Sequence, residues 1–357
     1  MSLIDIYDSD YGLEDKIGQM LIFGFRGLSP TDEWVQSIQQ HLESGKIGGA
    51  LILDYNIQSP KQTKDLMSFF HSCNAKIKPL FAIDQEGGAV SRLSKQKGFN
   101  DFPSAQDMAD TYTVEQAYEI YSKLVYECVD YGFNYLLAPV VDINVEPDSP
   151  VISAIGRTYS VNPIVIYAYA GEFNRAIHDA GMVSCLKHFP GHGSACGDTH
   201  KDITDVTDSW QDYELDPYAE FIEKEQVDSI MSSHILHRDI DCVYPASLST
   251  SHVQEMLREQ MCYDGVVITD DLQMCAIWKY YTLEEIVLNA IKAGNDLLIF
   301  SQYFAPDTSL VDKVTEIIRV AIADKKISEQ RIDESFKRII KLKNSINCPA
   351  FHKEDKS

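Results

Sequence analysis

Short apolar runs recur along the chain, each followed by a polar loop and then an amphipathic stretch. They fall at residues 20–25 (MLIFGF), 48–53 (GGALIL), 79–84 (PLFAID), 135–143 (YLLAPVVDI), 183–189 (VSCLKHF), 229–235 (SIMSSHI), 265–272 (GVVITDDL) and 296–300 (DLLIF). Nearly continuous apolar runs of this length fit strands covered on both faces. The intervening PKQTKDLMSFFHSCNAKI, VEQAYEIYSKLVYECVDYG and PIVIYAYAGEFNRAIHDAG read as helices, the last two closing on the glycine that commonly ends one. Eight strand–helix alternations predict an α/β fold with the parallel sheet closed into a (β/α)8 TIM-type barrel, a doubly wound open sheet being the alternative. No Pro/Ser-rich linker or low-complexity tract interrupts the pattern, so a single domain is expected over residues 1–357, with a core from about 15 to 345. The last two helical stretches, LVDKVTEIIRVAIADK and SEQRIDESFKRIIKLKN, are expected on its outside.

A parallel barrel carries its chemistry where strands end and the following loops begin. The third run ends in Asp84, the fourth passes Asp142, the fifth ends in Lys187 and His188, the sixth in His234, and the seventh in Asp270 and Asp271. Singly, each has an ordinary reading: an Asp there is usually a helix cap or loop anchor, and a lone His such as His234 is usually a hydrogen-bonded packing residue. Polar groups from five strand ends on one rim are harder to explain that way.

The densest chemistry lies in KHFPGHGSACGDTH, Lys187 to His200. His188, His192, Cys196 and His200 recur every four residues, as metal ligands on a helix would, but Pro190, Gly191, Gly193 and Gly197 break helical register, and no metal is expected. Phosphate cradling would need a GxxxxGK[ST] or GxGxxG turn, which is missing here. Proton transfer fits better. Asp198 stands two residues before His200, so its carboxylate can bond one imidazole nitrogen and fix the tautomer. Histidines ordinarily titrate near pH 6.5, which suits a group acting first as acid and then as base. Opposite it, VITDDL offers a carboxylate nucleophile.

Composition narrows the partners. A formal charge of −23 without any Lys/Arg run argues against nucleic acid, so an anionic substrate would have to meet locally placed cations. The eight cysteines stand singly, as reduced thiols in a cytosolic chain do. No apolar run is long enough to span a membrane, and the acidic N-terminus does not resemble a secretory signal; a cytoplasmic location is expected.

KHFPGHG, four residues, then DTH resembles the K-H-F-P-G-H-G-x4-D-x-H signature of the β-N-acetylglucosaminidases of glycoside hydrolase family 3. IGQMLIFGF, AIDQEGGAVSRL, FPSAQDMADTY, LAPVVDIN, AIGRTYS, IMSSHI, YPASLS, GVVITDDLQM and AGNDLLIF also resemble family segments in order, over most of residues 15–302. The resemblance implies Asp270 as nucleophile, His200 as general acid/base and Asp198 as its partner, with Asp271 as support. It further implies Asp84, Arg92, Arg157, Lys187 and His188 as the groups that hold the sugar's hydroxyls and acetamido group.

The implied reaction is a retaining double displacement through a glycosyl-aspartate, without cofactor, acting from the end of N-acetylglucosamine glycosides such as muropeptide fragments. A His–Asp dyad departs from the usual carboxylate pair; a neutral base does not repel the incoming nucleophile. Gly193-Ser194-Ala195 and Ala89 depart from the commoner family residues, on the leaving-group side. Family members acting on glucosides usually add a second domain that this length does not accommodate, which favours the hexosaminidase. The rivals are a phosphorylase of the same family and a catalytically silent sugar-binding protein. A carbohydrate is the expected partner, and the chain is expected to be a monomer that does not insert into a membrane.

Overall fold

A computed structural model describes residues 11–349 and 351. Each apolar run yields a strand: β1 Leu21–Phe23, β2 Gly49–Ile52, β3 Leu80–Ile83, β4 Tyr135–Leu136, β5 Leu186–Phe189, β6 Ser229–Ser232, β7 Val266–Thr269 and β8 Leu298–Phe300. A two-residue strand, Val183–Ser184, leads into β5 across Cys185. The strands are buried along their whole length, as expected when helices cover one face and the barrel interior the other.

The pairing is parallel and follows chain order. One sheet runs β8-β1-β2-β3-β4 and on to Val183–Ser184, the other β7-β6-β5. Leu21–Phe23 pairs in register with Leu298–Phe300, so the last strand lies beside the first. No uninterrupted ladder encircles the sheet. At its two seams the halves are joined by single bridges, Val140 to Lys187 and Ile268 to Leu297. β4 is only two residues long because Pro139, lacking an N–H, follows almost at once.

The helices form where periodicity places them. Pro60–His71 has proline in its first turn and a Ser59 side chain accepting from Gln62 N–H. Val114–Asp130 and Pro163–Asp179 are followed by Gly132 and Gly181, at φ of 88° and 76°. The two last helices, Leu310–Ala323 and Glu329–Ser345, turn Val314, Ile318, Ile332, Phe336 and Ile339 inward against the barrel's outer layer. Among the described residues, no helix is long and apolar enough to cross a membrane.

Two small strand pairs matter for the rim. Gln85–Gly87 and Val90–Ser91 make an antiparallel hairpin straight after β3, which stations Asp84, Glu86 and Arg92 together. Thr204–Asp205 pairs with Ile235–Leu236, clamping the far end of the loop after β5 to the segment after β6.

Candidate active site

At the C-terminal ends of β3 and β5 lies a buried network of alternating charge. Lys187 Nζ, on a side chain only 2% exposed, sits 2.8 Å from Asp84 Oδ1 and 2.7 Å from Glu86 Oε1. Arg92 donates to Asp84 Oδ2 at 3.1 Å. Arg157 grips Glu86 with two bonds of 2.8 Å and reaches His188 Nε2 at 3.2 Å. Burial works against ionisation of Asp84, but Lys187 and Arg92 outweigh it and hold the carboxyl well below its usual range. Glu86, opposed by the same burial and held by Arg157 and Lys187, falls to about 2.

His188 is oriented from behind. Its Nδ1 lies 2.7 Å from Asp142 Oδ2, while Asp142 Oδ1 accepts the backbone N–H groups of His188 and His192 at 3.0 and 2.8 Å. A guanidinium can only donate, so Nε2 must accept from Arg157 and the proton stands on Nδ1.

Asp270 and Asp271 follow β7 and do different things. The Asp271 carboxylate is spent on structure: Oδ1 accepts from Gln273 N–H and Ser301 N–H at 3.1 and 2.9 Å, and Oδ2 from the Ser301 hydroxyl. Burial pushes it up to about 6. Asp270 accepts only the neighbouring Asp271 N–H among its hydrogen bonds, at 2.7 Å. Despite burial, the field of His234, His188 and His200 holds it below the ordinary carboxylate value, so it is ionised at neutral pH. His234 itself is consumed by Ser247 Oγ and the Asp271 carbonyl, at 2.7 and 2.9 Å, and is the packing histidine that its apolar neighbours suggested.

The loop 190–200 is irregular for steric reasons. A Cβ on Gly193 would lie 1.6 Å from the Ile143 carbonyl oxygen, and Gly191, at φ 123°, is pressed against Glu214. These glycines serve close backbone approach, and Ser194 N–H in turn donates to Glu214 Oε2 at 3.3 Å. Asp198 Oδ1 receives both the backbone N–H and Nδ1 of His200, at 3.0 and 2.9 Å, and Lys201 lies 3.0 Å from Oδ2. The His200 ring is half exposed. The loop docks on the segment after Asp270, where Ala276 N–H donates to the Thr199 carbonyl at 3.1 Å.

The eight residues that the resemblance assigned to catalysis and sugar binding thus lie at the strand ends, joined in two sets. Asp84, Arg92, Arg157, Lys187 and His188 share a continuous network, and Asp198 pairs with His200 facing Asp270. The histidines do not converge: His188 is bonded to Asp142 and Arg157, and His192 is buried with its Nδ1 unpartnered. Among the described residues, no group of three or more His, Cys, Asp or Glu is disposed to hold a metal. Sequence reasoning missed Glu86, the hub between Arg157 and Lys187. The signal was available, since two residues beyond Asp84 in an extended segment lie on the same side. It also named Asp142 as a rim residue without seeing that it orients His188.

A parallel barrel whose mouth gathers ionised carboxylates, guanidinium groups and a carboxylate-held imidazole is built as a barrel enzyme is. Residues 12–342 match the glycosyl hydrolase family 3 N-terminal domain, and the chain belongs to that family. It is 29% identical over 84% of its length to beta-hexosaminidase A of Pseudoalteromonas piscicida, of which it spans only 54%. It is 30% identical over 88% of its length to beta-hexosaminidase LpqI of Mycobacterium tuberculosis, covering 83% of that protein. A family 3 beta-N-acetylglucosaminidase from Paenibacillus sp. str. FPU-7 superposes with a TM-score of 0.85 at 31% identity, over 97% of this chain and 65% of the other.

Proposed function

We propose that the protein is a retaining, exo-acting β-N-acetylglucosaminidase that removes terminal N-acetylglucosamine through a covalent intermediate on Asp270. The observation that carries this reading is an ionised Asp270 within the electrostatic reach of a His200 whose Nδ1 is held by Asp198, which leaves Nε2 available for proton transfer. The names of the relatives support the substrate class.

In the first step an Asp270 oxygen attacks the anomeric carbon, the bond to the leaving oxygen breaks, and His200 Nε2–H protonates that oxygen. In the second, water attacks the same carbon, its proton passes to Nε2, and the bond to Asp270 breaks, so configuration is retained. Asp84, Arg92, Lys187, Arg157 and His188 hold the sugar; their mutual charge balance keeps cations in place within a chain of net charge −23. Asp198 stabilises the imidazolium formed on proton uptake.

The finer proposals are a single catalytic domain acting as a monomer on peptidoglycan-derived fragments in the cytoplasm. Release of aryl alcohol from an aryl β-N-acetylglucosaminide, assayed with and without phosphate, tests the activity. Free N-acetylglucosamine as product in both conditions is expected. A glycosyl phosphate would mean a phosphorylase, and no turnover at all would sink the proposal.

A further inference from the structure

The segment after β8, SQYF, entered the site above only through Ser301, which holds Asp271, yet it places two aromatic rings beside the acid/base loop. Phe304 lies with its centroid 6.0 Å from the His200 ring, and Tyr303 packs edge-on against Phe304 at 4.9 Å. On the far side of Tyr303 stands Tyr55, from the loop after β2, nearly parallel to it at 5.8 Å. Arg26, from the loop after β1, lies 4.0 Å over the Tyr55 ring and 5.4 Å over that of Tyr303. It donates to the carbonyls of Gln302 and Tyr303 at 3.3 and 2.9 Å, fixing the backbone that presents the rings. Tyr55 is likewise tied, through its hydroxyl, to the Ser301 carbonyl at 2.9 Å.

The result is a braced aromatic wall along the mouth, running from the loop after β1 to His200. Its outer ring is open: Tyr303 is 52% exposed, and Phe304 is partly buried. The position of the wall decides its occupant. His200, in the reading above, protonates the leaving oxygen, so whatever hangs from that oxygen must lie against the surface beside His200. That surface is Phe304 and Tyr303.

We propose that Tyr303 and Phe304 form the leaving-group subsite, stacking the pyranose ring of a saccharide aglycone. The apolar C–H face of a β-linked pyranose suits the flat face of an aromatic ring, while its equatorial hydroxyls stay in water. The braces cut the ordering cost of binding, since Arg26 and Tyr55 have already immobilised the segment. The wall therefore makes this enzyme one for glycosides of sugars over glycosides of small alcohols.

This inference rests on the proposed glycosidase activity, and two substrates separate the two. The β-glycosyl fluoride of N-acetylglucosamine has no aglycone ring and reports on the sugar pocket and Asp270 alone; the β-1,4-linked disaccharide of N-acetylglucosamine also needs the wall. In Tyr303→Ala and Phe304→Leu the ratio of kcat/KM for disaccharide over fluoride should fall about tenfold, mainly through KM, whereas Tyr303→Phe, which keeps the ring, should hold the wild-type ratio. An unchanged ratio in both ring-removing variants, or a Tyr303→Phe variant as poor as Tyr303→Ala, would overturn the stacking subsite. A wild-type protein inert towards both substrates would instead overturn the glycosidase reading on which it stands.

Discussion

A single oxygen of Asp198 serves His200 twice, taking the backbone N–H at 3.0 Å and ring Nδ1 at 2.9 Å. The side chain is thereby aimed as well as polarised, and only Nε2 remains for substrate. His200→Ala should cost about 10²- to 10⁴-fold on poor leaving groups and far less on activated aryl glycosides, which depart without protonation. With activated substrates the adduct on Asp270 should accumulate and be visible by intact-protein mass, and azide should restore turnover as a β-glycosyl azide. Asp198→Asn should give a milder form. Equal losses on both substrate types, with no adduct, would assign the loop a binding role only.

The neighbouring acids should part company under the same substitution. Asp270→Asn is expected to melt near the wild-type temperature and to lose roughly 10⁴-fold or more in kcat, since no other group can form the intermediate. Asp271→Asn should weaken the bonds to Ser301 and Gln273 and lower Tm by several degrees, with the smaller loss of turnover. Calorimetry and steady-state kinetics on the pair decide it; greater catalytic damage from Asp271→Asn would reverse the assignment.

Glu86 should prove indispensable without touching any reacting atom. Its removal leaves Arg157 and Lys187, the latter 2% exposed, short of a counter-charge. Breaking a buried pair from one side commonly costs about 3–5 kcal/mol. Glu86→Gln should therefore lose stability of that order in urea titrations and raise KM more than it lowers kcat, because the two cations proposed to position the sugar lose their anchor. A variant as stable as wild type would show the network to be dispensable.

A pH dependence follows from Glu214, buried beneath Gly191 and Ser194. Burial pushes its carboxyl up to about 7, against an ordinary 4.5. The folded state thus holds a proton that the unfolded chain has lost, so this group's contribution falls as pH rises from 4.5 to 7 and is constant above and below. The loss is about 3 kcal/mol. Glu214→Gln removes it: the stability of the variant relative to wild type should be greater at pH 8 than at pH 5. An identical difference at both pH values would mean that Glu214 titrates normally.

The barrel was legible because each strand is buried on both faces, which makes the eight runs predominantly apolar and conspicuous. Less legible was the sheet's closure. Whether Val140 meets Lys187 by one bridge or by a ladder depends on packing that no local pattern encodes. Among the site residues, Asp198 and His200 could be read from spacing because their bond is local in the chain. Spacing could put Glu86 on the same side as Asp84 but could not show its role as a hub, since its partners Arg157 and Lys187 are distant in sequence and meet it only through the fold. The glycines of PGHG could be read only as helix breakers, and the structure supplies their cause in a backbone wedged against Ile143.

Ala195, Val206, Trp210, Ile235 and Ala246 form a small apolar cluster apart from the main core, under the loop that ends in His200. Trp210 also ties that loop down by donating to the Pro190 carbonyl at 3.2 Å. Its few side chains bury far less surface than the barrel does, so this corner opens at a lower free energy than the whole. On warming, the loop that carries Asp198 and His200 is therefore expected to come adrift while the barrel still holds: its amides should exchange with deuterium at temperatures where those of the strands stay protected, and loss of both together would make the corner part of one cooperative unit.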